Sequence, residues 1–328
     1  MIKTIYVEKS VADHPRSRLI ANNFPSAKVI EIDHYGEIFN RNNQSFRIQK
    51  TEPGLILAQK KNKKVLAVPK GLEIGEPSYY FSHMLNCLYD CRYCFLQGMF
   101  KSANYTVFVN YEDFHKEIIQ TANKNGGRAF FFSGYDCDSL AMEPITDFAK
   151  SFLPLFEKIQ SSTLELRTKS TQIRSLLNIP PLNNVICSFS LNPQEIIELC
   201  EEKTPSLESR INSIHKLSSA GWRIGLRFDP IIATNNFRKI YENCFRKVFK
   251  KISKENIDSI SLGTFRLSST QYKRMCKDRP NEWLYSTIAP SKNFDRFGYR
   301  SNLDTEILNW CQERLFHYAE GVPIFKQS

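Results

Sequence analysis

The sequence predicts an α/β fold on a mostly parallel sheet, curled as a partial barrel. Three observations predict it. From Pro77 onward, apolar runs of strand length alternate with amphipathic stretches of helical length, the rhythm of βαβ units. The runs are rich in Val, Ile, Phe and Leu with little polar interruption, as strands covered on both faces require. Six such units can be counted, short of the eight of a full TIM barrel.

Residues 1–76 read as a small mixed α/β subdomain. Short apolar runs at Ile5–Val7, Val29–Ile32, Leu55–Ala58 and Val65–Val68 are bounded by Pro, Gly, Asn or Lys. Asp13 and Pro15 mark a helix start, and Pro25 stops that helix after Phe24. Residues 77–265 form the barrel, with strands expected at Tyr79–Met84, Ala129–Ser133, Thr163–Thr168, Val185–Leu191, Arg223–Asp229 and Ile257–Phe265. The helices between them are Tyr111–Asn123, Pro144–Gln160, Gln194–Glu201, Ser206–Ala220 and Asn236–Ser253. Two details support this register. Ile211, Ile214 and Leu217 keep helical spacing up to Gly221, and Ile240, Cys244, Val248 and Ile252 share one face while Arg246, Lys247, Lys250 and Lys251 point outward. Residues 266–328 are expected to extend from the barrel and pack on it. In such sheets the chemistry sits on the loops that follow the carboxyl ends of the strands.

The chain has 328 residues, with 45 Lys plus Arg against 34 Asp plus Glu, a net charge of +11, and nine cysteines. Hydrophobic content of 41% with 24% charged residues excludes bulk disorder and collagen-like or low-complexity readings. No run approaches the roughly eighteen apolar residues of a membrane helix. The start, MIKTIYVEKSVADHPRSRL, lacks the apolar centre of a signal peptide, so a cytoplasmic location is expected. Thiols are kept reduced there, and nine cysteines then bind metal, react, or pack as small hydrophobes rather than forming a disulfide framework.

Cys87, Cys91 and Cys94 stand in a C-x3-C-x2-C spacing directly after the first barrel strand. Three thiolates within eight residues reach one centre only if a loop wraps around it. The plainer alternative is three packed or redox cysteines. A zinc ion would want a fourth close Cys or His, and His83 is the nearest candidate. An iron–sulfur cube normally takes four cysteines, so three leave one iron open.

With Tyr93 as the aromatic before the third cysteine, this run resembles the signature of the radical S-adenosylmethionine (SAM) superfamily. The resemblance implies a partial (β/α)6 barrel in which Cys87, Cys91 and Cys94 hold a [4Fe-4S] cluster. The open iron would chelate SAM, and reduction would release a deoxyadenosyl radical. The segments at 94–97, 166–170, 187–193, 220–222 and 297–299 are similar to spore photoproduct lyase and its relatives, over most of residues 77–300. That similarity implies that Asp138, Lys169 and Ser190 contact SAM from the ends of the second, third and fourth strands, beside Tyr93 and Phe95. Taken alone, the three polar residues read as a capping Asp, a surface Lys and a strand Ser. It also implies a DNA lesion as substrate and an electron donor such as flavodoxin or ferredoxin.

Two departures stand out. Phe95 occupies a place where the family usually has Tyr. The thiol that returns hydrogen to the repaired thymine aligns with Tyr135, while Cys137 stands next to Asp138. Cys137 is therefore a relocated donor, another catalytic residue, or a packed thiol. The alternatives for the whole chain are a radical SAM enzyme acting on RNA or another substrate, and a nucleic-acid-binding iron–sulfur protein without lyase activity.

The basic groups cluster at Lys60–Lys64, Arg246–Lys254 and Lys273–Arg279, where phosphate contact is expected. Tyr285, Phe294, Phe297 and Tyr299 interleave with Lys292, Arg296 and Arg300, a mix that suits either stacking on bases or a cap packed on the barrel. Gly126–Gly127 reads as a turn, and His34 as a cap or packed residue. Cys187, Cys200, Cys244, Cys276 and Cys311 fall on core positions. Nothing in the sequence indicates an oligomeric state.

Overall fold

The computed structural model describes residues 2–69 and 76–327. Its main sheet has eight strands in the spatial order Ile324–Gln327, Ile257–Thr264, Arg223–Ile231, Val185–Ser190, Thr163–Thr168, Phe130–Ser133, Ser78–Phe81 and Val65–Ala67. Seven of these are parallel neighbours, and only Val65–Ala67 runs antiparallel, at one edge. The six expected barrel strands are all present, and the C-terminal run Ile324–Gln327 adds a seventh beside Ile257–Thr264.

The outer layer forms because each helix carries one apolar stripe. Ile118, Phe152, Leu217 and Val248 are fully buried on four of the helices that pack on the sheet. Phe81 stacks on Phe152 at 5.2 Å, and Phe148 lies 4.6 Å from the same ring. Ser206 caps its helix by accepting the Ser209 amide at 3.2 Å.

The helix expected at Pro144–Gln160 is divided. Glu143–Thr146 and Phe148–Lys158 are separate helices joined at Asp147, whose φ is +49°. Glu143 stabilises the break, its carboxylate accepting the Ala149 amide at 2.8 Å at the start of the second helix. The expected strand Tyr79–Met84 also ends early, at Phe81. Met84–Leu85 belongs to a second sheet of five strands ordered Lys28–Ile32, Thr4–Glu8, Leu55–Ala58, Tyr105–Phe108 and Met84–Leu85. Strand membership thus crosses residue 76 in both directions: Val65–Ala67 joins the barrel, and Tyr105–Phe108 joins the N-terminal sheet. A third sheet, ordered Arg266–Ser268, Arg296–Gly298 and Ala289–Pro290, stands at the barrel mouth. Among the described residues, no helix is long and apolar enough to cross a membrane.

Candidate active site

The cysteine loop begins where the chain leaves the N-terminal sheet. Asn86 has φ +67° and donates its amide to the carbonyls of Ser102 and Asn104, each at 2.7 Å, which fixes the backbone ahead of Cys87. Cys91 lies in a two-residue strand paired antiparallel with Glu201–Glu202, and the Arg92 amide donates to the Cys200 carbonyl at 2.7 Å. Gln97 closes the loop on itself, donating to the Asp90 carboxylate at 2.9 Å and to the Cys91 carbonyl at 2.7 Å.

Residues 269–285 clamp this loop from outside. Arg279 reaches both Asp90 carboxylate oxygens at 3.2 Å, and Arg274 donates to the carbonyls of Gly98 and Met99 at 3.2 and 3.0 Å. Tyr285 Oη donates to the Arg92 carbonyl at 3.0 Å, and Glu282 pairs with Arg92 at 2.7 Å. Gly98 is needed because a Cβ there would lie 2.7 Å from the Gln271 carbonyl oxygen. Arg274 and Arg279 therefore hold the cysteine loop, which corrects the expectation of phosphate contact for these two arginines of the Lys273–Arg279 cluster.

All three cysteines line one cavity of about 860 Å³ that occupies the barrel interior. Burial pushes each thiol up, Cys87 to about 12. Cys87 also feels Cys94 as a like charge, and Cys91 feels both Cys94 and Cys87. Among the described residues, no three Cys, His, Asp or Glu side chains converge on a single metal ion. A cube presents separate irons at its corners and asks for wider spacing, so three thiols set apart along one cavity wall suit a [4Fe-4S] cluster better than a lone zinc.

Behind the loop sits a buried network that sequence reasoning missed. Glu201 and Arg210 form an ion pair with both side chains fully buried. Arg210 also donates to the carbonyls of Ser190 and Pro205, both at 3.0 Å, and to Thr204 Oγ1 at 2.8 Å. Tyr93, the aromatic of the motif, donates its hydroxyl to Glu201, and Asn192 donates to the same carboxylate oxygen at 2.9 Å. Burial acts to raise the Glu201 pKa, but Arg210 and Lys169 outweigh it and hold it at about 2. Asn192 lies in the 187–193 segment that carries the family resemblance, and it was the one available signal for this network.

The remaining expected residues are placed as follows. Asp138 accepts four hydrogen bonds: from the Leu140 amide (3.0 Å), the Ala141 amide (2.9 Å), Thr168 Oγ1 (2.6 Å) and the Lys169 amide (2.6 Å). Its carboxylate ties the end of the second strand to the end of the third. Gly134 permits the turn between them, since its φ is +80° and a Cβ would meet Ser139 Oγ at 2.5 Å. Lys169 Nζ lies 5.5 Å from the Tyr93 ring centroid. Burial opposes its charge, but Cys91 and Glu201 prevail and raise its pKa. Ser190 ends the fourth strand and lines the cavity with Lys169 and Asp138. A cation, a hydroxyl and backbone polar groups beside the cysteines can bind the amino-acid part of SAM.

Tyr135 is half-buried, with its ring 5.6 Å from Phe95 and 4.4 Å from Tyr80. Cys137 is 7% exposed, packs with Met84 and Val107, and lines the cavity. Desolvation and the nearby Cys87 push its thiol well up, so it stays protonated. Deeper in the barrel, Glu165 takes Arg227 Nε at 3.1 Å and Arg167 at 3.2 Å. Despite its burial, these guanidinium groups hold Glu165 at about 2.

Of Tyr285, Phe294, Phe297 and Tyr299, only Phe294 is exposed, at 70%, with φ +54° in the turn between Ala289–Pro290 and Arg296–Gly298. Tyr285 and Tyr299 are buried and Phe297 stacks on Tyr272 at 3.7 Å, so the cap reading holds for those three. Of the five cysteines expected in the core, Cys187, Cys200, Cys244 and Cys311 are buried. Cys276 is only partly so, near the end of a surface helix.

A family model described as spore photoproduct lyase matches residues 1–288. The chain is 26% identical over 307 residues to a spore photoproduct lyase of Clostridium acetobutylicum, covering 91% of this chain and 89% of that protein. It is 26% identical over 258 residues to one from Bacillus subtilis, covering 74% and 72%. Among solved structures it resembles a spore photoproduct lyase complexed with dinucleoside spore photoproduct, with a TM-score of 0.86 over 99% of both chains at 16% identity. A mutant enzyme with bound AdoMet and the same dinucleoside superposes with a TM-score of 0.83, over 99% of this chain and 98% of that one, also at 16% identity.

Proposed function

The chain belongs to the spore photoproduct lyase family of radical SAM enzymes, and on that premise we propose how its own residues serve the repair of a thymine photoproduct in DNA. The observation that carries the reading is the opening of the three-cysteine loop into the barrel cavity, between Tyr93, Phe95, Lys169 and Ser190. When bound, a [4Fe-4S] cluster with SAM supplies one-electron reduction and a carbon-centred radical able to take a hydrogen atom from substrate.

Cys87, Cys91 and Cys94 hold the cluster. Lys169 and Ser190 bind the polar end of SAM, while Asp138 acts one step back by fixing the two strand ends that carry Thr168 and Lys169. Tyr93 lines the cavity, while its hydroxyl, through Glu201, ties the loop to Arg210 and the fourth strand. Phe95 and Tyr135 give the cavity an aromatic wall for a base. Cys137 is the hydrogen donor, since it is a neutral thiol on the same cavity and an S–H gives up its hydrogen atom more readily than a phenol.

The substrate enters from the mouth. Phe294, flanked by exposed Lys292 and Arg296, is placed to stack or wedge at the lesion while the cations meet phosphates. The electron comes from a small low-potential carrier such as flavodoxin or ferredoxin, in the cytoplasm.

The deciding experiment is anaerobic reconstitution followed by incubation with ultraviolet-irradiated oligonucleotides. The expected result is SAM cleavage to deoxyadenosine together with loss of the photoproduct and recovery of thymine. Active SAM cleavage with no lesion loss would refute the lyase reading. Cys137→Ala is expected to keep SAM cleavage but lower thymine yield at least tenfold; an unchanged yield removes Cys137 and leaves Tyr135 as the candidate.

A further inference from the structure

Lys50 follows the short helix Phe46–Gln49, far from the cysteine motif in sequence, yet it is only 5% exposed. Its ammonium donates to the carbonyl oxygen of Cys87 and lies 5.3 Å from the centroid of the Tyr105 ring, and Lys50 is not among the residues that line the cavity. Among the described residues, no carboxylate comes within 4.0 Å of it. Asp90, the nearest acid on the loop, is already held by Arg279 and Gln97. The other cation nearby, Lys203, reaches the Lys50 carbonyl at 3.5 Å and adds positive charge.

A buried ammonium without a counter-ion is costly to keep. Burial lowers the Lys50 pKa, and the groups that oppose this and favour its charge are Cys87, Asp90 and Cys94. Three thiolates on a cube leave a net negative body, and reduction adds one more electron to it. A fixed cation against the backbone of the first ligand lowers the energy of both states, and of the reduced state more.

We infer that Lys50 is a positioning residue for the cluster, a built-in counter-charge that makes its one-electron reduction easier. The inference rests on Cys87, Cys91 and Cys94 being the ligands. In the step itself the cluster gains one electron from an external one-electron reductant, here dithionite, and no bond breaks. Removing a unit charge at this range is expected to change the reduced-to-oxidised ratio on the order of tenfold.

The test compares the full-length wild type with Lys50→Gln, which keeps a donor to the Cys87 carbonyl but no charge, and Lys50→Arg, which keeps the charge. Each is reconstituted anaerobically without SAM and assayed for iron and sulfide per chain. Each is then titrated with dithionite while the reduced cluster is followed by electron paramagnetic resonance. Lys50→Gln should show a reduced fraction roughly tenfold lower at a fixed potential, and Lys50→Arg should stay within about threefold of wild type. Loss of the cluster from Lys50→Gln but not from Lys50→Arg supports the same role at the loading stage. Superimposable titrations of wild type and Lys50→Gln would overturn the inference, as would an Arg variant that falls as far as the Gln variant or loses its cluster with it. A wild type that holds no cluster sinks instead the ligand assignment beneath it.

Discussion

Glu201→Gln tests the buried network that supports the cysteine loop. In the wild type one carboxylate oxygen pairs with Arg210 and the other accepts from Tyr93 and Asn192, with no water access. An amide of the same shape leaves the Arg210 guanidinium uncompensated and sets an NH2 group against at least one donor. Breaking a buried pair from one side costs about 3–5 kcal/mol. The depressed pKa of Glu201, set largely by the same Arg210, points to a cost of the same order. Its pKa is about 2 in the fold, against an ordinary value near 4.5, a gap worth about 3 kcal/mol. Because the folded pKa is depressed, this stability is fully present above pH 4.5 and fades as the pH falls toward 2. In differential scanning of the cluster-free protein at pH 7, the variant should melt roughly 6–10 °C lower, at about 2 °C per kcal/mol for a chain of this size. The gap between wild type and variant should narrow steadily below pH 4.5. A drop under 2 °C at pH 7, or a gap independent of pH, would refute the account of the network.

Gly98→Ala should lower the melting temperature by several degrees and cut the iron retained per chain after reconstitution, because the new methyl meets the Gln271 backbone at 2.7 Å and pushes the helix Ser269–Asp278 off the loop. The check is iron analysis beside calorimetry. Phe294→Ala should leave SAM cleavage and melting unchanged but weaken binding of irradiated duplex about tenfold, as loss of one stacking or wedge residue would; fluorescence anisotropy against salt measures it.

The barrel was legible because its strands are continuous apolar runs. Thr163–Thr168 in the barrel, and Leu55–Ala58 in the N-terminal sheet, match the expected boundaries. The cysteine motif was legible because ligand spacing is local in sequence. What escaped notice depends on partners far along the chain. Lys50 and Glu201 look like surface charges until Cys87 and Arg210 are brought to them. Arg279 looks like one more basic residue in a cluster until Asp90 is placed 3.2 Å away. Tyr105–Phe108 follows a stretch with no periodicity, and its pairing with Leu55–Ala58 is what makes it a strand. The broken helix at Asp147 escaped because the apolar spacing continues across it, while Pro144 fits the first turn of a short helix as well as that of a long one.

The clamp on the cysteine loop also bears on how the protein is made. Arg92 meets Glu282 across 190 positions, and Asp90 meets Arg279 across 189. On the ribosome the three cysteines therefore emerge long before the residues that fix their backbone, and at ordinary translation speeds that interval lasts about ten seconds or more. During it the thiols belong to a loop without its outer brace, open to oxidation and to stray metal. Contacts of such long range also form late and slowly. The outer brace of the loop is complete only once residues 279–285 have been made.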